Sequence, residues 1–282
     1  MGARGFTVDA RVQRRVQRYG WDLAATDYEA LWQAQLADAQ AALLAAAGLR
    51  RGERVLDVAC GTGLVSFAAA HAVGPAGQVL GVDLSEGMVD AARLRATRRE
   101  VSNATFMHMD AEALALPDGV PTAGFDVALC ALGLMYVPDP DQALREMRRV
   151  LKPGGRLVVA VWGERSRCGW APLFGIVDAE VASEVCPLFF RLGQRETLVR
   201  ACVAAGFSAF DEQRITTTLV YADAEEACNA AFVGGPVALA WSRFGAEVRE
   251  RVCAHYLEAI EPWREGNGYR VPGEFVVVAA RA

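Results

Sequence analysis

The chain has 282 residues, enough for one main domain with a smaller appended region but not for two large ones. Hydrophobic residues make up 53% and charged residues 22%, which excludes a disordered chain. The net charge of -5 gives no general pull toward nucleic acid or an anionic membrane, and no apolar run reaches the roughly 18 residues of a membrane span.

Residues 8–48 are rich in Ala, Gln and Arg. Val8, Val12, Val16 and Tyr19 recur at helical spacing and predict a first helix with these residues as its apolar stripe, interrupted at Gly20. A second helix is expected from Thr26 to Ala47, stopped by Gly48. Neither could stand alone, so residues 1–49 read as a helical cap packed on the remainder of the chain. The opening MGARGFTVDARVQRR lacks the apolar stretch of a secretory leader. The seven scattered cysteines, odd in number and without a CxxC, suit reduced structural thiols in a cytoplasmic protein.

From Arg54 short apolar runs alternate with helical ones. Strands are expected at 55–60, 78–83, 105–110, 125–131 and 156–162, and helices at 64–73, 85–99 and 140–151. This alternation predicts an α/β fold, a mostly parallel sheet covered by helices on both faces. LKPGG, residues 151–155, reads as a helix stop and turn. Later come a helix over 196–205 and strands over 215–220 and 274–280. The core is therefore expected over 50–220 and 271–282, with 221–270 as a helical insertion over the substrate.

In such a sheet ligands bind outside the carboxyl ends of the strands, near the point where strand order reverses. Those ends carry Asp57 to Gly63, Asp83, Asp110 and Cys130 to Gly133. Asp83 lies 20 positions after Gly63, where a carboxylate can accept from two ribose hydroxyls. Asp110 could accept from an exocyclic amino group of adenine. The P-loop pattern GxxxxGK[ST] is absent, and the third glycine of the dinucleotide fingerprint is replaced by Ser66. Asp57, just before the glycine turn, would repel a pyrophosphate but suits a cofactor carrying a sulfonium and an ammonium group.

VLDVACGTG, GVDLSEGM, MDAEALALPDG and FDVALCALGLMYVPDPDQALREMRRVLKPGGRLVVAVW, taken in order, resemble the class I S-adenosylmethionine-dependent methyltransferases, and most closely the ubiquinone/menaquinone type and its small-molecule relatives. The resemblance covers about residues 50–163. It implies a Rossmann-like, seven-stranded sheet whose last strand is antiparallel. It implies Asp57, Ala59, Gly61 and Gly63 around the methionine part of the cofactor, and Asp83 on the ribose. Leu84 and Met88 would lie against the adenine, Asp110 and Ala111 at its amino edge, and Cys130 to Leu132 along the floor. The cap would contribute Tyr28 and Trp32 to the cofactor and Trp21 to the acceptor.

Methyl transfer displaces a neutral thioether, so the leaving group needs no acid. No convincing base is legible. His255 and Tyr136 are the weak candidates, and three histidines without ligand-like spacing predict no metal site. Leu132, Tyr136, Trp170, Phe174 and Trp241 are expected in the substrate pocket, suiting a small apolar or aromatic acceptor rather than nucleic acid. The alternatives are a dinucleotide oxidoreductase and a non-catalytic cofactor-binding subunit. A monomer or homodimer is expected.

Overall fold

The computed structural model describes residues 10–116, 123–181, 186 and 188–282. Val8, and the Pro117-Asp118-Gly119 end of the third motif, lie outside the described residues.

Three helices come first: α1 (Ala10–Ala24), α2 (Tyr28–Trp32) and α3 (Ala37–Ala47). The alternating core comes next: β1 (Arg54–Val58), α4 (Leu64–Val73), β2 (Gln78–Asp83), α5 (Glu86–Arg98), β3 (Ala104–His108), β4 (Phe125–Ala131), α6 (Pro140–Val150) and β5 (Leu151–Trp162). Beyond it lie α7 (Pro172–Asp178), α8 (Thr197–Ala204) and β6 (Ser208–Tyr221). The chain closes with α9 (Ala224–Phe232), α10 (Ala238–Arg243), α11 (Ala246–Ile260), a two-residue β7 (Arg264–Glu265) and β8 (Gly268–Arg281).

The main sheet runs β3-β2-β1-β4-β5-β8-β6, with β7 as a short arm on β8. β1 pairs in parallel with both β2 and β4, and β4 with β5. β8 is antiparallel to β5 on one side and β6 on the other. The architecture is thus the Rossmann-like sheet the resemblance implies, with its last strand reversed. Strand order turns back between β1 and β4, which places a ligand crevice at their carboxyl ends. The inner strands are apolar on both faces because helices cover both. Leu157, Val158, Val159, Ala160 and Val161 in β5 have no exposed surface.

LKPGG differs from its expected form. α6 does end at Val150, but 151–155 continue into β5 as a wide bulge, since Phe125 pairs Leu151 and Val127 already pairs Arg156. Gly154 takes φ +74°, which lets the bulge turn. The second expected helix is also divided, with residues 33–36 forming a turn between α2 and α3, while Gly48 ends α3 in the left-handed conformation at φ +52°.

α1 corrects the sequence reading most clearly. Its apolar stripe does not face inward: Val12 and Tyr19 are each 44% exposed, and the buried residues are Gln17, Gly20 and Ala24. Nor does Gly20 interrupt it. The helix runs through Gly20, which is buried where α1 packs against α10. A Cβ there would meet the Leu239 Cβ at 3.7 Å, an ordinary contact. Gly20→Ala should therefore raise stability by about 0.5–1 kcal/mol through helix propensity, read as a higher urea midpoint at unchanged slope.

Candidate active site

The first wall grows out of β1. Its last residues are apolar and buried, and the chain then turns through Ala59 (φ +55°), Gly61 (φ +54°) and Gly63 (φ +89°) before α4 begins. A Cβ on Gly63 would come within 2.8 Å of the Phe67 ring, so conformation and space both require glycine. Asp57 lies fully buried under this turn. Its Oδ2 accepts from the Ser66 hydroxyl at 2.5 Å, while its Oδ1 has no hydrogen-bond partner. Burial pushes its carboxyl up to about 7, against the opposing Ser66 bond. Ser66, the residue in place of a third fingerprint glycine, is therefore what holds Asp57.

The second wall is the end of β2. Asp83 accepts from the Gly61 amide at 2.8 Å through Oδ2 and from the Ser85 amide at 2.9 Å through Oδ1. This fixes the carboxylate against the glycine turn and leaves lone pairs on both oxygens. Burial raises its pKa, against those two backbone bonds. Ser85 caps α5 by accepting from the Met88 amide at 3.1 Å, which sets Met88 beside Asp83. The third wall comes after β3, where Asp110 holds its loop through a 2.9 Å bond from the Glu112 amide.

The fourth wall is the end of β4. Leu132 takes φ +61°, a conformation uncommon outside glycine. At Gly133 a Cβ would lie 2.2 Å from that of Ala59, so the ends of β1 and β4 touch directly. Strain and close approach thus meet at the switch point.

The roof comes from α1 and α2. Arg14 pairs with Asp110 at 3.2 Å and with Glu112, and Gln17 donates to the Cys186 thiol at 3.4 Å. Asp22 accepts from the Ser85 hydroxyl at 2.6 Å and the Gly87 amide at 3.1 Å, pinning α1 to the N-terminus of α5. Glu29 of α2 pairs with Arg95 of α5.

Between roof and strand ends lies a cleft of about 760 Å³, counting its open mouth. Ala59, Gly61, Asp83, Leu84 and Met88 line it, with Asp110 and Ala111. Leu132, Tyr136, Trp21 and Tyr28 complete the predicted residues found there. Ala131 and Gly133, within the Cys130 to Gly133 strand end expected there, line it too, whereas Arg14, Gln17, Met109, Val137 and Pro138 also line it without having been expected as site residues.

Two smaller spaces adjoin. Asp57, Gln40, Tyr28 and Gly61 border one of about 300 Å³ under the glycine turn. The other, about 330 Å³, is an aromatic chamber whose walls include Trp32, Trp162 and Trp170. It shares Trp21, Tyr28, Leu132 and Tyr136 with the cleft. Trp32 therefore sits in the chamber rather than the cleft.

Other predicted residues lie apart. Cys130 is buried beneath Gly133, with its thiol pushed up to about 12 by burial. Phe174 packs into a ring cluster with Trp170, Phe189 and Phe190. Trp241 stacks on Phe232 at 4.9 Å. His255 is exposed on α11, near Glu180, and does not line the cleft. Among the described residues no three His, Cys, Asp or Glu side chains could hold a metal ion, and no helix is long and apolar enough to cross a membrane.

Residues 49–203 match the family model for a methyltransferase domain, more than half of the 282-residue chain. The ubiquinone/menaquinone biosynthesis C-methyltransferase UbiE of Pseudomonas fluorescens is 36% identical over 188 residues, 61% of this chain and 72% of that protein. The chain belongs to the class I S-adenosylmethionine-dependent methyltransferases. Demethylmenaquinone methyltransferase of Listeria monocytogenes is 40% identical over 126 residues, 45% of this methyltransferase, which spans about half (52%) of the Listeria protein. The fold extends further than the sequence match. Haemonchus contortus phosphoethanolamine N-methyltransferase 2, in complex with S-adenosyl-L-methionine, superposes with a TM-score of 0.60 at 17% identity, covering 99% of this methyltransferase and 61% of that chain.

The residues present fit that cofactor. The unpartnered Asp57 Oδ1 offers a buried acceptor to an ammonium group, and its carboxylate a counter-charge. Asp83 supplies a bidentate acceptor for vicinal hydroxyls. A pyrophosphate would instead meet the fully buried Asp57 carboxyl, so the dinucleotide alternative fails on electrostatics as well as on family.

Proposed function

We propose that this methyltransferase moves the methyl group of S-adenosylmethionine to a small, apolar or aromatic organic acceptor held in the chamber beside the cleft. The observation that carries this reading is the aromatic chamber, which no charged side chain lines and which shares Trp21, Tyr28, Leu132 and Tyr136 with the cleft. In this reading Asp83 takes the ribose hydroxyls, Leu84 and Met88 the adenine face, and Asp110 and Ala111 its amino edge. Asp57, Ala59, Gly61 and Gly63 surround the amino-acid tail. Cys130 supports the floor from below. Residues 1–49 act as the cap, 50–220 with 271–282 as the core, and 221–270 as a cover over the substrate side.

The cofactor, when bound, supplies an electrophilic methyl on a cationic sulfur. The chain's own part is to orient the acceptor and exclude water. Tyr28 and Tyr136 are the titratable groups shared by cleft and chamber, and burial raises both above the usual phenol range. Neither is a base at neutral pH, so the acceptor must arrive with an available lone pair or lose its proton to water. A cytoplasmic location agrees with the burial of Cys60, Cys130, Cys168, Cys186 and Cys202.

The test is S-adenosylhomocysteine formation with a panel of small apolar, aromatic and polar acceptors, with oligomeric state checked by light scattering. Turnover is expected with aromatic acceptors. Turnover confined to polar aliphatic acceptors would contradict the reading, and cofactor binding without turnover on any acceptor would favour an accessory role.

A further inference from the structure

Five of the seven cysteines are buried, and only Cys228 and Cys253 are half-exposed. Cys228 lies on α9 and Cys253 on α11, two helices that pack together. Phe232 stands one turn beyond Cys228 and Tyr256 one turn beyond Cys253, each on its cysteine's helix face. Those two rings meet edge to face, with centroids 5.7 Å apart. Cys228 also lies close to Tyr256. The ring contact sets the register of the two helices, and one turn back it brings the two thiols into hydrogen-bond contact. No sequence spacing announces the pair, because its members come from separate helices.

The contact makes the thiols unequal. Cys228 donates its S–H to the Cys253 sulfur, which draws the Cys253 thiol down from its ordinary value and pushes the Cys228 thiol up. Burial pushes the other five thiols up. The thiolate is the nucleophile, so Cys253 is the sulfur that attacks and Cys228 the one that resolves.

We propose that Cys228 and Cys253 form a redox-active pair, which hydrogen peroxide closes to a disulfide between α9 and α11. The Cys253 sulfur attacks one peroxide oxygen, the O–O bond breaks, and a sulfenic acid forms as one water leaves. The Cys228 sulfur then attacks the sulfenic sulfur, forms the S–S bond and releases a second water. Two thiols lose two electrons and two protons, and one peroxide becomes two waters. The bond ties α9 to α11 at a sulfur separation of about 2.05 Å. α9 leads into Gly234 and Gly235, which lie against α2: a Cβ there would come within 2.8 Å of Leu31 and 3.6 Å of Trp32. Pro236, the next residue, lines the aromatic chamber. The disulfide therefore restrains a wall of the chamber, while the strand ends that carry Asp57 and Asp83 are untouched.

The test treats the reduced full chain with hydrogen peroxide, alkylates the remaining thiols and maps the digest by mass spectrometry. One linked peptide pair, holding Cys228 and Cys253, is expected. It should form about tenfold faster than any buried cysteine is oxidised and should be reversed by dithiothreitol. Cys228→Ser should stop at the Cys253 sulfenic acid, which dimedone traps, and Cys253→Ser should leave Cys228 reduced over the same time. Hydrogen exchange across residues 224–236 should slow in the oxidised protein, with S-adenosylhomocysteine affinity unchanged by calorimetry. Absence of the Cys228–Cys253 link, or a link through a buried cysteine, would overturn the proposal. So would undiminished oxidation of Cys228 in a folded Cys253→Ser variant, unchanged exchange across 224–236, or loss of S-adenosylhomocysteine binding on oxidation. The wild-type map decides the matter even if a variant does not fold.

Discussion

Asp83→Asn is expected to weaken S-adenosylhomocysteine binding by about tenfold or more, at least ~1.4 kcal/mol, in a variant that still folds. The carboxylate already receives one backbone N–H on each oxygen, from Gly61 and Ser85. Those bonds pre-organise it, so its remaining lone pairs face the cleft without further ordering when hydroxyls arrive. Asparagine has one acceptor oxygen. It can keep one backbone bond at most and loses the charge that strengthens every bond to a ligand hydroxyl. Part of the loss will appear as reduced stability, because one buried backbone N–H is left without its partner. A thermal melt alongside calorimetry separates the two, and unchanged affinity in a folded variant would show that the ribose lies elsewhere.

Asp57→Asn carries the second large effect, and it has opposite signs with and without cofactor. In the cofactor-free protein burial pushes the Asp57 carboxyl up from 3.8 to about 7. Between those values the folded chain holds a proton that the unfolded chain has released. The contribution of Asp57 to stability therefore becomes less favourable as pH rises from about 4 to about 7 and levels off above that. Asparagine does not titrate, so at pH 8 the variant should be more stable than wild type by a few kcal/mol, ~4 at most, with the gap closing near pH 4. Urea unfolding across this range measures it; parallel curves for the two proteins would contradict the account. Cofactor reverses the balance. An ammonium group beside Asp57 favours the ionised carboxylate, so wild-type affinity should rise with pH toward 8, while the Asp57→Asn variant binds more weakly and without that rise.

Much of the site was legible because its polar groups interrupt apolar strands. Asp83 ends a strand whose preceding four residues are buried and Asp57 sits inside one, so both stand out against a regular pattern, while Asp110 follows a strand that is itself half exposed. The parallel part of the sheet followed from the alternation of strands and helices, and the reversed last strand from the family resemblance. The cap was less legible. The sequence reading assigned Val12, Val16 and Tyr19 to the inward stripe of α1, because apolar residues usually mark the packed face. That face covers the cleft instead, and it carries Arg14, Gln17 and Trp21 at helical spacing, with Gly20 and Ala24 also buried on it. Asp22 and Arg14 look like surface charges in sequence, yet their partners, Ser85 and Asp110, are more than sixty residues away. The aromatics of the later region divided in a way no spacing could reveal. Trp170 joined Trp32 from the cap at the chamber, while Phe174 and Trp241 went into separate packing clusters.

The most direct measurement of the central claim is a crystal structure with S-adenosylhomocysteine bound. The account predicts the ribose hydroxyls on Asp83, the ammonium on Asp57, and the sulfur at the shared wall of Trp21, Tyr28, Leu132 and Tyr136, facing the aromatic chamber. Adenosine away from Asp83, or a sulfur facing away from that wall, would contradict it.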